Sequence, residues 1–275
     1  MRQRSLSATE AKVVLTLEAT GRDELSLDDI QSLAGIRRGF ARKLAHDLTK
    51  KGWIQRVGAG RYLLNPGRRG PEALPDSDPL RVGSRLVQPY YFGYASAAEL
   101  WGFLLQAGRV YYIVTPTRTS IRITTPAHFR FVRVRSRRFF GTVGIQRRGE
   151  SIQVSDPERT IIDCVDRPEL SGGLAGAVQV ISRALPRIYW KRLSRHLSRL
   201  NNRSLTLRVG FLVEKVAGSL PPPPSWVGRW LAKSSDPWVP LGPPSSFGRR
   251  GTHDRRWHIV CNVPDRVLFS EVEPR

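Results

Sequence analysis

The sequence predicts an α+β protein, with an N-terminal winged helix-turn-helix followed by a larger mixed α/β domain. Three observations carry this reading. Residues 1–66 alternate helix-capping signals with apolar runs and close on two short strand-like runs around a Gly-rich turn. Residues 67–79, within the stretch PGRRGPEALPDSDP, have the Pro and Gly content of an interdomain linker. Residues 80–275 interleave strand and helix patterns without an internal repeat.

In the N-terminal part, Ser7-Ala8-Thr9-Glu10 is a capping box, with Ser7 as N-cap and Glu10 reaching back to it. Val13, Val14, Leu15 and Leu17 supply the apolar side of a first helix. Ser26-Leu27-Asp28-Asp29 opens a short second helix with Ile30 and Leu33 buried. Ala34-Gly35-Ile36 makes a tight turn, and a third helix is expected from about Arg37 to Lys51, stopped by Gly52. Trp53–Val57 and Arg61–Leu64 flank Gly58-Ala59-Gly60 and read as a hairpin.

Further along, Ser96 is placed to cap a helix running to about Leu105, and Arg109–Val114 reads as a strand. Short strands are expected near 120–124, 129–135, 142–146 and 151–154. Asp156-Pro157-Glu158-Arg159 then starts a helix, with Asp as N-cap, Pro in the first turn and an acid near the positive end. More helices are expected at about 172–184, 187–200 and 203–217, followed by a Pro-, Ser- and Gly-rich stretch and a strand at Trp257–Val263.

Charge narrows the function. The 275 residues hold 45 Lys and Arg against 23 Asp and Glu, a formal net charge of +22. Residues 100–149 contain ten arginines and no acid, and residues 170–213 contain eight Lys or Arg and no acid. Such a field attracts polyanions, of which nucleic acid is the commonest soluble one. Hydrophobic residues make up 40 %, enough for a packed core, which argues against wholesale disorder. No apolar run approaches the ~20 residues a membrane helix needs, and the first residues are polar. A cytoplasmic protein without membrane contact is therefore expected. Two cysteines exclude a disulfide scaffold and a Cys-based zinc site.

A helical wheel of residues 37–51 puts Phe40, Leu44 and Leu48 on one face, expected to be the buried one. Arg38, Arg42, Ala45, His46 and Thr49 fall opposite, on the face that enters a major groove in a helix-turn-helix. Arg37 and Lys43 flank that face and suit phosphates, while Arg56 and Arg61 sit on either side of the wing turn. In the larger part, alternation along 130–138 would place Arg133, Arg135 and Arg137 on one strand face. On a helix at 187–200, Arg192, Arg195 and Arg199 form an exposed stripe opposite Leu193, Leu197 and Leu200. Both sets are candidates for additional phosphate contacts.

The pattern of an enzyme is missing. The sequence has no Gly-x-Gly-x-x-Gly, no P-loop and no His-Glu-x-x-His, and its five histidines show no metal spacing. His253 and His258 flank Asp254, but no nucleophile accompanies them. The only acidic cluster runs from Asp156 to Glu169. There Asp156 and Glu158 are explained by helix capping, and Asp163 by a salt bridge to Arg159 one turn earlier. No catalytic residue, metal or cofactor is assigned.

The blocks YFGYASAAELWG, SDPERTIIDCVDRPELSGG (155–173) and RVGFLVE (208–214), preceded by the wing closure RVGAGRYLLNP, resemble the AbiEi antitoxins of type IV toxin–antitoxin systems over roughly residues 6–265. The resemblance implies an antitoxin-type second domain. It also implies that the winged helix binds inverted repeats in its own operon promoter and represses it. A co-encoded nucleotidyltransferase-like toxin would be neutralised without need of a stable complex. By the same resemblance the DNA-binding role falls on Arg38, Arg42 and His46, with Arg56 and Arg61 on the wing. Two other readings stay open at this stage: a module that binds an acidic toxin directly, with incidental DNA binding, and a metal-dependent nuclease built on Asp156, Glu158 or Asp163. With no heptad seam in the sequence, a monomer that pairs on DNA is expected.

Overall fold

The computed structural model describes residues 5–67, 70, 78–105, 110–119, 127–147, 149–217 and 222–272. The N-terminal unit runs α1 (Ala8–Ala19), β1 (Glu24–Ser26), α2 (Leu27–Ala34), α3 (Arg38–Lys50), β2 (Ile54–Gly58) and β3 (Arg61–Leu64). Both N-terminal caps form as the sequence requires: Ser7 and Glu10 close a capping box on α1, and Ser26 and Asp29 close one on α2. Val13, Val14, Leu17, Ile30 and Leu48 pack against Ile54, Tyr62 and Leu64. The strands order as β1-β3-β2, all antiparallel. β1 escaped the sequence reading because three residues with one buried side chain, Leu25, carry no detectable alternation.

α3 is rotated from the expected orientation. Its buried residues are Ala41, Ala45 and Leu48; Leu44 is half-buried, and Phe40 is 66 % exposed. The wheel weighted side chains by hydrophobicity alone. Small alanines let α3 approach α2 closely, and a phenylalanine in their place would hold the two helices apart.

The larger part begins with α4 (Pro79–Gly83), whose N-cap is Asp78. Thus the last two residues of the expected linker belong to a helix start, while most of the rest of it lies outside the described residues. A five-stranded mixed sheet follows, built from β4 (Tyr91–Phe92), β5 (Val110–Thr115), β6 (His128–Arg133), β7 (Thr142–Arg147) and β8 (Glu150–Ser155), in the order β6-β5-β4-β8-β7. β5 pairs with β6 in parallel, and β7 with β8 in antiparallel register. The strand expected near 120–124 lies outside the described residues. α5 (Tyr94–Leu100) starts two residues before its expected cap. Ser96 is buried inside it and accepts a hydrogen bond from the Tyr112 backbone N–H at 2.8 Å, tying the helix to β5.

Helices α6 (Pro157–Asp166), α7 (Gly173–Ala184), α8 (Trp190–Leu200), α9 (Arg203–Ala217) and α10 (Pro224–Trp230) enclose the largest core, centred on Ile161, Val180, Leu193 and Leu212. The chain ends with β9 (Val239–Pro240), α11 (Pro244–Phe247), β10 (Thr252–Asp254), β11 (Ile259–Cys261) and α12 (Asp265–Leu268). The three strands form a small sheet in the order β10-β11-β9. The Pro- and Trp-rich stretch, to which the sequence assigned no role, is the cover of this core: Trp230 and Trp257 are buried in it. The Trp257 ring lies on Gly210 of α9, where an added Cβ would stand 2.1 Å from the ring. Its indole N–H donates to Glu214. The RVGFLVE block thus has a packing cause: a helix needs Gly at the point where a buried indole crosses it.

The N-terminal unit does not stand apart. Val57 and Leu63 share a core with Leu80, Val82, Phe92, Ile113 and Ile152, and Arg85 reaches Asp23 at 3.4 Å. This contact uses β2 and β3 and leaves the outer face of α3 uncovered.

Gly210→Ala is expected to lower stability by about 1–3 kcal/mol through overpacking against Trp257. Thermal unfolding of the full chain measures it. A change below a few tenths would mean that the indole shifts aside at no cost.

Candidate nucleic-acid interface

On α3, Arg38, Arg42, Lys43, His46, Thr49 and Lys50 are all exposed and form one cationic face beside the exposed Phe40 ring. Arg37, in extended conformation at the N-cap, is exposed too. Ala45, expected on this face, is buried. Arg38 touches Asp28 at 3.2 Å, but both side chains are well exposed, so the pair is worth little and can be exchanged for another anion. The arginines on the wing are less free. Arg56 is exposed and donates from Nε to the Gly58 carbonyl at 3.2 Å, while Arg61 is held by Glu24 of the neighbouring β1. The wing turn is itself tied down, since the Leu27 N–H donates to the Gly60 carbonyl at 3.0 Å.

The large-domain arginines group differently from the expectation. β6 ends at Arg133; Arg135 then precedes a 3₁₀ turn, Ser136–Arg138, which contains Arg137. The three do not share a strand face. The turn instead folds them around a single cleft of about 360 Å³, together with Arg138 and Arg159. On α8, Arg192, Arg195 and Arg199 are exposed. Arg192 reaches Glu158 at 3.4 Å and lies over the Tyr189 ring, and Arg199 stacks on Phe140 at 4.1 Å. The packed side chains carry part of the stripe, leaving Arg195 without a partner among the described residues. Arg138 and Arg159 had no binding role in the sequence reading. Their available signal was the acid-free stretch before β8 and the helix start that follows it.

The carboxylates of the SDPERTIIDCVD block are all engaged. Asp156 caps α6 by accepting from the Arg159 N–H at 2.7 Å, and its other oxygen lies 2.8 Å from His196 Nε2. Glu158 accepts from the Tyr189 N–H at 2.6 Å, so it joins α6 to the start of α8; the capping role expected for it is not the one it fills. Asp163 pairs with Arg159 Nε at 2.9 Å, as the one-turn spacing predicts, and both are buried. Burial pushes the Asp163 carboxyl up to about 6 despite the opposing Arg159 charge, with the neighbouring Asp166 adding to the rise. Burial likewise pushes the Cys164 thiol up to about 12, where it is inert. Asp156 and Asp163 both bond to Arg159, and Glu158 bonds to the Tyr189 N–H; no group of His, Cys, Asp or Glu able to hold a metal occurs among the described residues. No helix among the described residues is long and apolar enough to cross a membrane.

Residues 91–215 match the family model described as the AbiEi antitoxin C-terminal domain. The span contains the sheet, the cleft and helices α5 to α8, with most of α9. Over a longer stretch the fold is that of the crystal structure of the RV2827C protein from Mycobacterium tuberculosis. The TM-score is 0.57 at 17 % identity, covering 94 % of this chain and 92 % of that one. A sequence search of curated proteins finds no match.

Removing one partner of the buried pair tests its weight. Arg159→Leu strands Asp163 and is expected to cost about 3–5 kcal/mol at pH 8. The cost shrinks toward pH 5, where the carboxyl takes up a proton. In the unaltered chain the raised Asp163 pKa makes its full contribution to stability below about pH 4 and loses it as pH rises through about 6. Denaturant unfolding of both chains across this range reads the two slopes. A gap independent of pH would remove Asp163 as the titrating group.

Proposed function

We propose, from the match of residues 91–215 to the AbiEi antitoxin C-terminal domain, that the chain is the antitoxin of a toxin–antitoxin pair that also represses its own operon. The observation that carries the second half is the α3 face. Arg38, Arg42, Lys43 and His46 stand exposed together on a helix whose opposite side is anchored by Ala41, Ala45 and Leu48. The helix–strand–helix–helix–hairpin order supports a winged helix-turn-helix with α3 as its reading helix. The boundaries 1–66 and 80–275 are kept as functional units joined by 67–79, although the two units share core residues.

In this reading α3 enters a major groove. There the exposed Arg42 makes a bidentate contact to guanine O6 and N7, and the exposed Phe40 ring meets a thymine methyl. Arg37, Lys43 and Arg56 take phosphates, and Arg61 does so after exchanging Glu24. Arg192, Arg195 and Arg199 extend the cationic surface. Two chains on an inverted repeat would exclude polymerase, each binding as a monomer. The partner counteracted by the second domain is a co-encoded nucleotidyltransferase-like toxin in the cytoplasm. No catalytic step is assigned to the chain.

The test is a titration of the purified protein with the DNA upstream of its gene and with a scrambled duplex, at several salt concentrations. The upstream DNA is expected to bind more tightly, with a steep salt dependence from about 6–10 phosphate contacts. Arg42→Ala should cost about 1–3 kcal/mol of that preference and leave binding to the scrambled duplex nearly unchanged. Equal binding of both duplexes by the unaltered chain would remove autorepression. Co-purification with the neighbouring gene product would then favour direct toxin binding.

A further inference from the structure

The cleft beside α6 differs in kind from the exposed basic faces. Six arginines and two aspartates line its wall. The aspartates are already paired, Asp163 with Arg159 and Asp166 with Arg138. Arg133 has only a long bond to the Pro116 carbonyl, at 3.5 Å, while Arg135 and Arg137 have no acidic partner among the described residues. Like charges gathered this way repel one another unless an anion lies between them.

Two features mark the cleft as built rather than incidental. Arg159 is 1 % exposed, yet its Nη1 has no hydrogen-bond partner among the described residues, and the same holds for the buried Nε of Arg138. Buried guanidinium nitrogens are normally satisfied, so an orphaned pair on one cleft calls for an acceptor. Arg159 is also held in position: its Nε by Asp163, its Nη2 3.4 Å from the Tyr91 hydroxyl, and its face over the Phe140 ring at 4.6 Å.

The cleft continues. Across Arg137 and Arg138 lies a second recess of about 310 Å³, lined by Arg199, Asn201 and Arg203. A single phosphate would meet only one end of this run of donors. A double helix would rest on the exposed side chains and leave the Arg159 and Arg138 nitrogens unmet. A short chain of linked phosphoryl groups meets both requirements, because each group brings acceptor oxygens that a guanidinium fork can bind bidentately.

We propose that this cleft binds a chain of linked phosphoryl groups, either the tail of a nucleoside triphosphate or free inorganic polyphosphate of similar length. Arg133, Arg135 and Arg137 hold the chain at the rim, and Arg138 and Arg159 receive it at the wall.

The experiment is calorimetric titration of the full chain at constant ionic strength with sodium tripolyphosphate, ATP and AMP. The proposal expects one site per chain, tripolyphosphate and ATP binding within about threefold of each other, and AMP weaker by about tenfold or more, since it offers a single phosphate. Arg135→Ala with Arg137→Ala, both exposed, should weaken tripolyphosphate by about tenfold or more, while Arg192→Ala with Arg195→Ala, away from the cleft, should change it by less than about threefold. Arg159→Leu tests the wall directly but risks the fold, so the rim variant decides. ATP binding without tripolyphosphate binding would overturn the proposal. So would equal losses in the two double variants, or many weak sites per chain, because diffuse charge would then explain the result. Displacement of tripolyphosphate by a single-stranded oligonucleotide at lower concentration would also overturn it, in favour of a strand-binding groove. A chain carrying Arg38→Ala and Arg42→Ala should keep the site, which separates this outcome from any failure of the DNA-reading helix.

Discussion

One buried helix sets the terms for the rest of this structure. α6 is enclosed along nearly its whole length, yet it carries Glu158, Arg159 and Asp163 and is capped by Asp156. Removing an ion from water costs several kcal/mol unless a partner of good geometry is supplied. Each partner comes from a different part of the chain: His196 from α8, the Tyr189 N–H from the turn before it, and the Tyr91 hydroxyl from β4. The Arg159–Asp163 pair and the Asp156 cap on the Arg159 N–H are internal to the helix. The polar groups therefore act as addresses, because α8 and β4 must lie where they do for the charges of α6 to be satisfied. The motif that reads like catalytic acids is an assembly point.

The same helix links structure to ligand chemistry. Because Asp163 occupies only Nε of Arg159, one face of that guanidinium is left for something outside the fold. The 3₁₀ turn after β6 places Arg137 and Arg138 opposite it. Gly141 makes this approach feasible: its φ is +73°, and a side chain there would press on Arg159 and His196 at about 3 Å. Arg159 thus serves the core through Nε and Nη2, while its buried Nη1 has no partner among the described residues.

The chain presents two cationic surfaces of different physical character. The α3 face is a row of exposed cationic side chains over an alanine seam. The cleft is recessed and prearranged, suited to a compact anion. The shared core around Val57, Leu63 and Leu80 couples the unit that carries the first surface to the sheet that carries the second. That contact leaves both surfaces open.

Much of this was legible in the sequence. The two capping boxes, the Asp156-Pro157 helix start, the hairpin around Gly60, the spans of α7 and α9 and the Arg159–Asp163 pair follow from interactions within a few residues, which local patterns encode completely. The outer face of α3 was legible for the same reason, as charges at helical spacing. Its inner face was not, because whether Phe40 or Ala41 turns inward depends on how closely α2 approaches. The cap of α5, the strand β1 and the role of Glu158 were lost likewise, each being decided by a partner distant in sequence. The arginines after β6 were visible as a run without acids, but a strand pattern spread them along one face. Only the tertiary structure gathered Arg133, Arg135 and Arg137 against Arg159, since a turn and a buried helix had to meet before like charges could share a cleft.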